Sequence, residues 1–262
     1  QGVLNFINET NFKRFLMIIR SAGFIDPSLL GSQNALDFAY VLFLTLRAQQ
    51  VPAADIESCV RRWFVMSTLT GRYSGSQETA FDSDIRQIHE RGSAACLQAV
   101  ERGELADPFW EATLPQDMDT SSGSSPYFKV FQAAQVKMND KGFLSKDITV
   151  QDLILNKCDV HHIFPKNHLK KAGMTKGRYN QIANYAMTQS EINIAIGDQA
   201  PAVYFKHLLE QCNGSKRRYG GITKVEELKE NLRLHYVTEA ITEGLSGDYD
   251  AFLEARRIHM AR

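Results

Sequence analysis

The sequence predicts a mainly α-helical protein: a helical bundle first, then a C-terminal half that breaks the helical pattern. Three observations predict it. Apolar residues recur three and four apart through much of residues 1–106, which lines one face of each helix. Cap and breaker residues, among them Gly23, Ser32 and Tyr73-Ser74-Gly75-Ser76, punctuate those stretches. From Ile148 to Leu155 the residues turn β-branched and aliphatic, and Val160 to Phe164 reads as a buried strand or turn carrying polar residues.

The elements follow in order. Phe12, Phe15, Leu16, Ile18 and Ile19 share one helical face, and Gly23 stops that helix. Asp26-Pro27 starts a turn, and Ser32 or Asn34 caps a helix carrying Leu36, Tyr40, Phe43 and Leu44. A third helix starts near Pro52 and runs through Trp63, Phe64 and Ser67. A fourth runs from about Thr79 through Ile88, and a shorter one holds Cys96, Leu97 and Val100. Residues 107–126, rich in Pro, Asp, Ser and Gly, read as a linker between a helical domain (1–106) and a second domain (127–262). A helix with Tyr127, Val130 and Phe131 follows, and Ile148 to Leu155 fits a strand or a short helix. Thr188 to Ile196 reads as a helix with Ser190 as cap and Gly197 as stop. Val203–Leu209, Val225–Leu234 and Tyr249 onward are helical again.

Composition narrows the class. The chain has 262 residues, 44% of them hydrophobic, so it has enough apolar surface to fold. Thirty basic residues balance thirty acidic ones, so any nucleic-acid contact must come from a local patch. Cys59, Cys96, Cys158 and Cys212 form no C-x-x-C pair and suit neither a zinc cluster nor a disulfide framework. Reduced thiols in a cytoplasmic protein are the reading that follows. The richest apolar run, Leu36 to Leu46, is too short to span a bilayer, so no membrane partner is expected. The chain begins at Gln1 within a helical pattern and reads as the C-terminal part of something longer.

The chemistry concentrates in Cys158-Asp159-Val160-His161-His162-Ile163-Phe164-Pro165-Lys166. Adjacent histidines at a strand end can approach one centre from different sides, one binding a metal while the other activates water. Asn184, in an otherwise apolar, strand-like segment, must satisfy its amide, and bonding the backbone of a nearby loop does so. Asn193 lies on the following helix, where its oxygen can complete a metal site with His161. Between Lys157 and Arg178 six basic residues face the single acid Asp159, a patch suited to phosphate. Lys216-Arg217-Arg218 is a weaker candidate. His89, His168, His207, His235 and His259 have no matching partner and read as surface or core, as do Trp63 and Phe64. Asp159 orients a neighbouring histidine or is a plain surface carboxylate.

The order His161-His162-Ile163-Phe164-Pro165-Lys166, then Ile182-Ala183-Asn184, then Asn193 before Pro201-Ala202-Val203-Tyr204, resembles the HNH (ββα-metal, His-Me finger) nucleases. More narrowly, it is similar to the C-terminal region of GmrSD-like and SspE-like restriction and anti-phage proteins. Arg62-Trp63-Phe64, Gly71-Arg72-Tyr73-Ser74 and Asp82-Ser83-Asp84-Ile85 are similar to the helical region before that nuclease. The resemblance implies a small ββα-metal core in the C-terminal half and a metal-dependent endonuclease that nicks or cleaves foreign or modified DNA in phage defence. It implies His162 as general base, His161 and Asn193 as metal ligands, and Asn184 as brace of the loop orienting His162. His161 stands where relatives often have Asp, and Asn193 where many have His. The resulting neutral pair suits Mn²⁺ better than Mg²⁺, with Zn²⁺ or Ni²⁺ less favoured as the resident ion. Lys166, Lys170, Lys171 and Arg178 are the DNA-contact candidates. A nucleotide-hydrolysing domain upstream is the implied partner. The competing expectation is an HNH-like module that binds nucleic acid or regulates without cutting.

Overall fold

The structure is a computed structural model that describes residues 2–158, 160–238, 241 and 249–262. It is mainly helical, with one two-stranded sheet among those residues. The chain divides into two compact units: residues 1–110 with 124–137, and 111–123 with 138–262. That division differs from the expected one. Residues 107–126 are not a bare linker, because they carry a π-helical turn (Phe109–Thr113) and a short helix. The helix Pro126–Lys137 belongs to the first unit. Its buried Phe128, Phe131 and Val136 give it an apolar face that needs helices to pack on.

The helices of the first stretch are α1 (Gly2–Phe6), α2 (Glu9–Ser21), α3 (Gln33–Ala48), α4 (Ala53–Leu69), α5 (Gln77–Arg91) and α6 (Ser93–Glu104). Asn8 caps α2 and Ser32 caps α3 by accepting from Ala35 N–H, which decides between Ser32 and Asn34. Gly23 ends the first long helix for two reasons. Its φ is +97°, and a Cβ there would lie 1.9 Å from the Ala133 carbonyl oxygen. The core gathers Phe15, Phe38, Leu46, Val60, Trp63 and Phe64. The motif residues Trp63, Arg72, Tyr73 and Asp84 form one ladder inside this unit. Trp63 Nε1–H donates to the Tyr73 hydroxyl (2.9 Å), which donates to Asp84 Oδ2 (2.7 Å). Arg72 grips both oxygens of buried Asp84 and also pairs with Glu104. A buried carboxylate needs this many donors.

Next come α7 (Leu114–Asp117), α8 (Pro126–Lys137) and α9 (Val150–Leu155). The ambiguous segment at 148–155 is helical because Thr149 and Asp152 close a capping box, each side chain accepting from the other's N–H. Strand β1 (Val160–His162) pairs antiparallel with β2 (Tyr185–Met187), with His161 opposite Ala186 and His162 opposite Tyr185. Two short helices, α10 (Lys166–Lys171) and α11 (Lys176–Tyr179), and a 3₁₀ turn (Ile182–Asn184) fill the connection. Asn184 therefore ends a turn and does not sit inside a strand. Helix α12 (Ser190–Ile196) follows β2, with Gln189 at the cap position. Ser190 is its first helical residue, so the expected cap is displaced by one. Gly197 stops α12 as predicted, at φ +59° and ψ −122°, a region only glycine occupies freely. The last helices are α13 (Pro201–Cys212), α14 (Val225–Leu234) and α15 (Tyr249–Ala261). Among the described residues no helix is long and apolar enough to cross a membrane.

Candidate functional site

The short hairpin is held by side chains reaching its backbone from several elements. Asn184 is fully buried, and its amide bonds the backbone at two places. It accepts from Phe164 N–H (2.8 Å) and donates to the carbonyls of Phe164 (3.0 Å) and Tyr179 (3.3 Å). The Ile163 N–H donates to the Asn184 carbonyl (2.9 Å), and the Tyr204 hydroxyl on α13 donates to the Ile163 carbonyl (2.8 Å). From α15, Arg256 donates to the carbonyls of Ala183 (2.7 Å), Tyr185 (2.8 Å) and His235 (3.0 Å). Burial pulls its pKa down to about 9. The residues just after the two histidines are thus fixed by Asn184, Tyr204 and, through β2, Arg256.

Both histidines line an open cleft of about 340 Å³, together with Val160, Pro165, Lys166, Asn167, Asn193 and Gly197. His161 is 2% exposed and stacks on Phe143, ring centroids 5.7 Å apart. Its Nδ1 lies 2.7 Å from Asn193 Oδ1, so the predicted strand and helix partners do meet. Burial pulls the His161 pKa down to about 4 against the raising effect of Asn193, and nearby His162 lowers it further. His162 is half-buried with its ring edge-on to Tyr185. Burial lowers its pKa, the bond to Asn180 opposes that, and Lys166 reinforces it. Both rings are therefore neutral at pH 7 and able to offer a lone pair.

The basic patch divides. Lys166 and Lys170 both lie over the Tyr179 ring, at 5.8 and 5.6 Å from its centroid, and Lys166 borders the cleft. Lys171 is paired with Asp198 and Arg178 with Asp250, all four exposed, so two of the four DNA-contact candidates are partly neutralised. Asp159 lies outside the described residues. Asn180 was not among the sequence candidates. Its oxygen lies 2.9 Å from His162 Nε2. The only sequence signal for it is an amide at the end of a helical turn, four residues before Asn184.

The chain is 27% identical over 195 residues to an uncharacterized protein of Methanocaldococcus jannaschii. That match covers 73% of this chain and 32% of the relative, so the chain spans about a third of that protein's length. No family model and no solved structure matches the chain.

The donor set itself tests a metal. Among the described residues no group of three or more His, Cys, Asp or Glu is placed to share an ion. A closed four-ligand site of the structural zinc type therefore does not fit. An open site does. Two ligands about 2.1 Å from one ion and at right angles are about 3 Å apart, and His161 Nδ1 and Asn193 Oδ1 are 2.7 Å apart at the cleft. His161 Nε2 is buried and without a hydrogen-bond partner. Binding through Nδ1 moves the ring proton onto that atom, where an unmatched N–H is unfavourable. An ion held there would be bound weakly.

A larger groove of about 500 Å³ lies in the first unit, lined by Met17, Ile18, Phe43, Val51 and Ile56 among others. It holds no histidine or cysteine; its charged residues are Arg14, Arg47 and Glu57.

Proposed function

We propose that this chain is a metal-dependent endonuclease of the HNH type acting on DNA. The observation that carries the reading is that His161, His162 and Asn193 open on one cleft beside a cation, Lys166. The chain order β1, β2, α12 supports it, since this is the ββα order that the resemblance implies. So does Asn184, which braces the backbone after His162 as the resemblance expects.

The chemistry follows from the residues. Phosphodiester hydrolysis needs a water-derived nucleophile and stabilisation of charge on the phosphate and leaving oxygens. His162, neutral at pH 7 and at the cleft, takes the proton from the attacking water. His161 and Asn193 would hold a divalent ion, which supplies Lewis-acid stabilisation of the developing charge. Lys166 at the cleft edge binds a substrate phosphate. The two neutral ligands favour Mn²⁺ over Mg²⁺. Restriction of foreign or modified DNA, governed by an upstream nucleotide-hydrolysing domain, is the setting that the resemblance supplies.

One observation favours a second reading. No carboxylate lines the cleft among the described residues, which suits a nuclease-like module that binds nucleic acid without cutting. Plasmid nicking separates the two. The endonuclease converts supercoiled plasmid to nicked or linear form with Mn²⁺, more slowly with Mg²⁺, and not with chelator. A folded chain that binds DNA but leaves plasmid intact with every divalent ion is the binding module.

A further inference from the structure

We propose that Asn180 is a positioning residue that fixes the tautomer of His162, placing its proton on Nε2 and leaving Nδ1 as the nitrogen that receives the proton from water. This rests on the endonuclease reading for its role, but not for its geometry.

The argument begins with what each group can do. The Asn180 oxygen, 2.9 Å from His162 Nε2, only accepts hydrogen bonds. A neutral imidazole carries one N–H and one lone pair, so the bond requires Nε2–H and leaves the lone pair on Nδ1. Asn180 is itself held. Its N–H donates to the Lys176 carbonyl (3.2 Å), closing the turn of α11. The preceding Tyr179 is buried, and its carbonyl accepts from both Asn184 Nδ2 and the Tyr249 hydroxyl. The His162 ring is edge-on to Tyr185 with centroids 5.0 Å apart, which sets the plane of the ring.

The two asparagines therefore divide the work. The Asn184 side chain bonds the backbone at Phe164 and Tyr179, beside the Tyr249 hydroxyl, and holds the loop in shape. Asn180 touches the base itself. A base whose proton sits on the wrong nitrogen cannot accept one from water, however well the ring is placed.

Nitrogen-15 NMR of histidine-labelled full chain, in mildly alkaline buffer with chelator, tests this directly. The His162 signal is assigned by its absence in His162→Gln. The wild type is expected to show a single pinned Nε2–H tautomer. Asn180→Ala is expected to show averaged shifts from exchanging tautomers and a kcat on plasmid DNA reduced at least about tenfold with KM little changed. Asn180→Asp, which keeps the acceptor, is expected to restore the pinned tautomer. A wild type with Nδ1–H or averaged shifts at His162 overturns the proposal, and so does an Asn180→Ala spectrum identical to wild type. If Asn180→Ala does not fold, a wild-type spectrum with Nδ1–H or averaged shifts at His162 still overturns the proposal, and Asn180→Ser takes the place of the alanine variant. A pinned Nε2–H in a chain that cuts no DNA supports the tautomer assignment and defeats the endonuclease reading, so the two failures are distinct.

Discussion

Replacing Asn184 by alanine removes three hydrogen bonds at a position with no solvent exposure. The Tyr179 carbonyl keeps a partner in the Tyr249 hydroxyl. The Phe164 N–H and carbonyl lose the Asn184 side chain in a buried setting. Each such orphaned group is unfavourable by about 1–3 kcal/mol, and the small cavity left by the amide adds to this. The expected loss is therefore about 2–6 kcal/mol. Asn180→Ala, which unpairs one half-buried imidazole nitrogen that water can reach, is expected to change stability by less than about 1 kcal/mol. Urea denaturation followed by circular dichroism, with hydrogen exchange at the Phe164 amide as the local probe, measures both. An Asn184→Ala chain within about 1 kcal/mol of wild type, with the Phe164 amide still protected, would refute the view that this amide carries the loop.

Three further outcomes follow from the same contacts. Asp84→Ala removes the carboxylate between Arg72 and Tyr73 and leaves a mostly buried guanidinium with Glu104 as its remaining ion pair. It should destabilise the chain by about 3 kcal/mol, read by thermal denaturation, and by less in Asp84→Asn. Lys166→Ala should weaken DNA binding and lower the slope of log affinity against log salt by about 1, whereas Lys171→Ala, already paired with Asp198, should do less; fluorescence anisotropy across a salt series reads both. The third concerns acid. His235 is buried, its Nε2–H donating to the Lys141 carbonyl, and burial holds its pKa at about 4 against an ordinary 6.5. Unfolded chain binds a proton below pH 6.5 that folded chain refuses until about 4, so this stability is full above 6.5 and is lost as pH falls toward 4. The gap is roughly 3 kcal/mol, and His161 adds the same sign. Asp140, raised by burial to about 6, acts oppositely as pH rises from 3.8 to 6, but it is one group against two. The melting midpoint should fall between pH 7 and 5, and His235→Gln should flatten that slope; an unchanged slope would contradict the assignment.

How far the sequence could be read depended on whether the deciding contact was local. Val225–Leu234 carries its apolar stripe and acidic first turn in its own residues, and its limits are those predicted. The stop at Gly197 is equally local. The segment at 148–155 was ambiguous by periodicity, yet the Thr149–Asp152 box that settles it is also local and was readable. The side of the domain boundary taken by Pro126–Lys137 depends on which helices its apolar face finds, and spacing does not encode that. The pairing of His161 with Asn193 was legible because both fall in one motif. The contact of Asn180 with His162 is made by a loop closing back on its strand, and His235 and Arg256 reach their carbonyls from 94 and 73 residues away.

The most direct test of the central claim is the single-turnover cleavage rate of plasmid DNA at saturating Mn²⁺, for wild type and His162→Ala, with DNA affinity measured on the same preparations. The account predicts metal-dependent cutting by wild type, a rate at least about 100-fold lower in His162→Ala, and unchanged DNA affinity. Equal rates in the two proteins, or no cutting by a folded wild type that binds DNA, would contradict it.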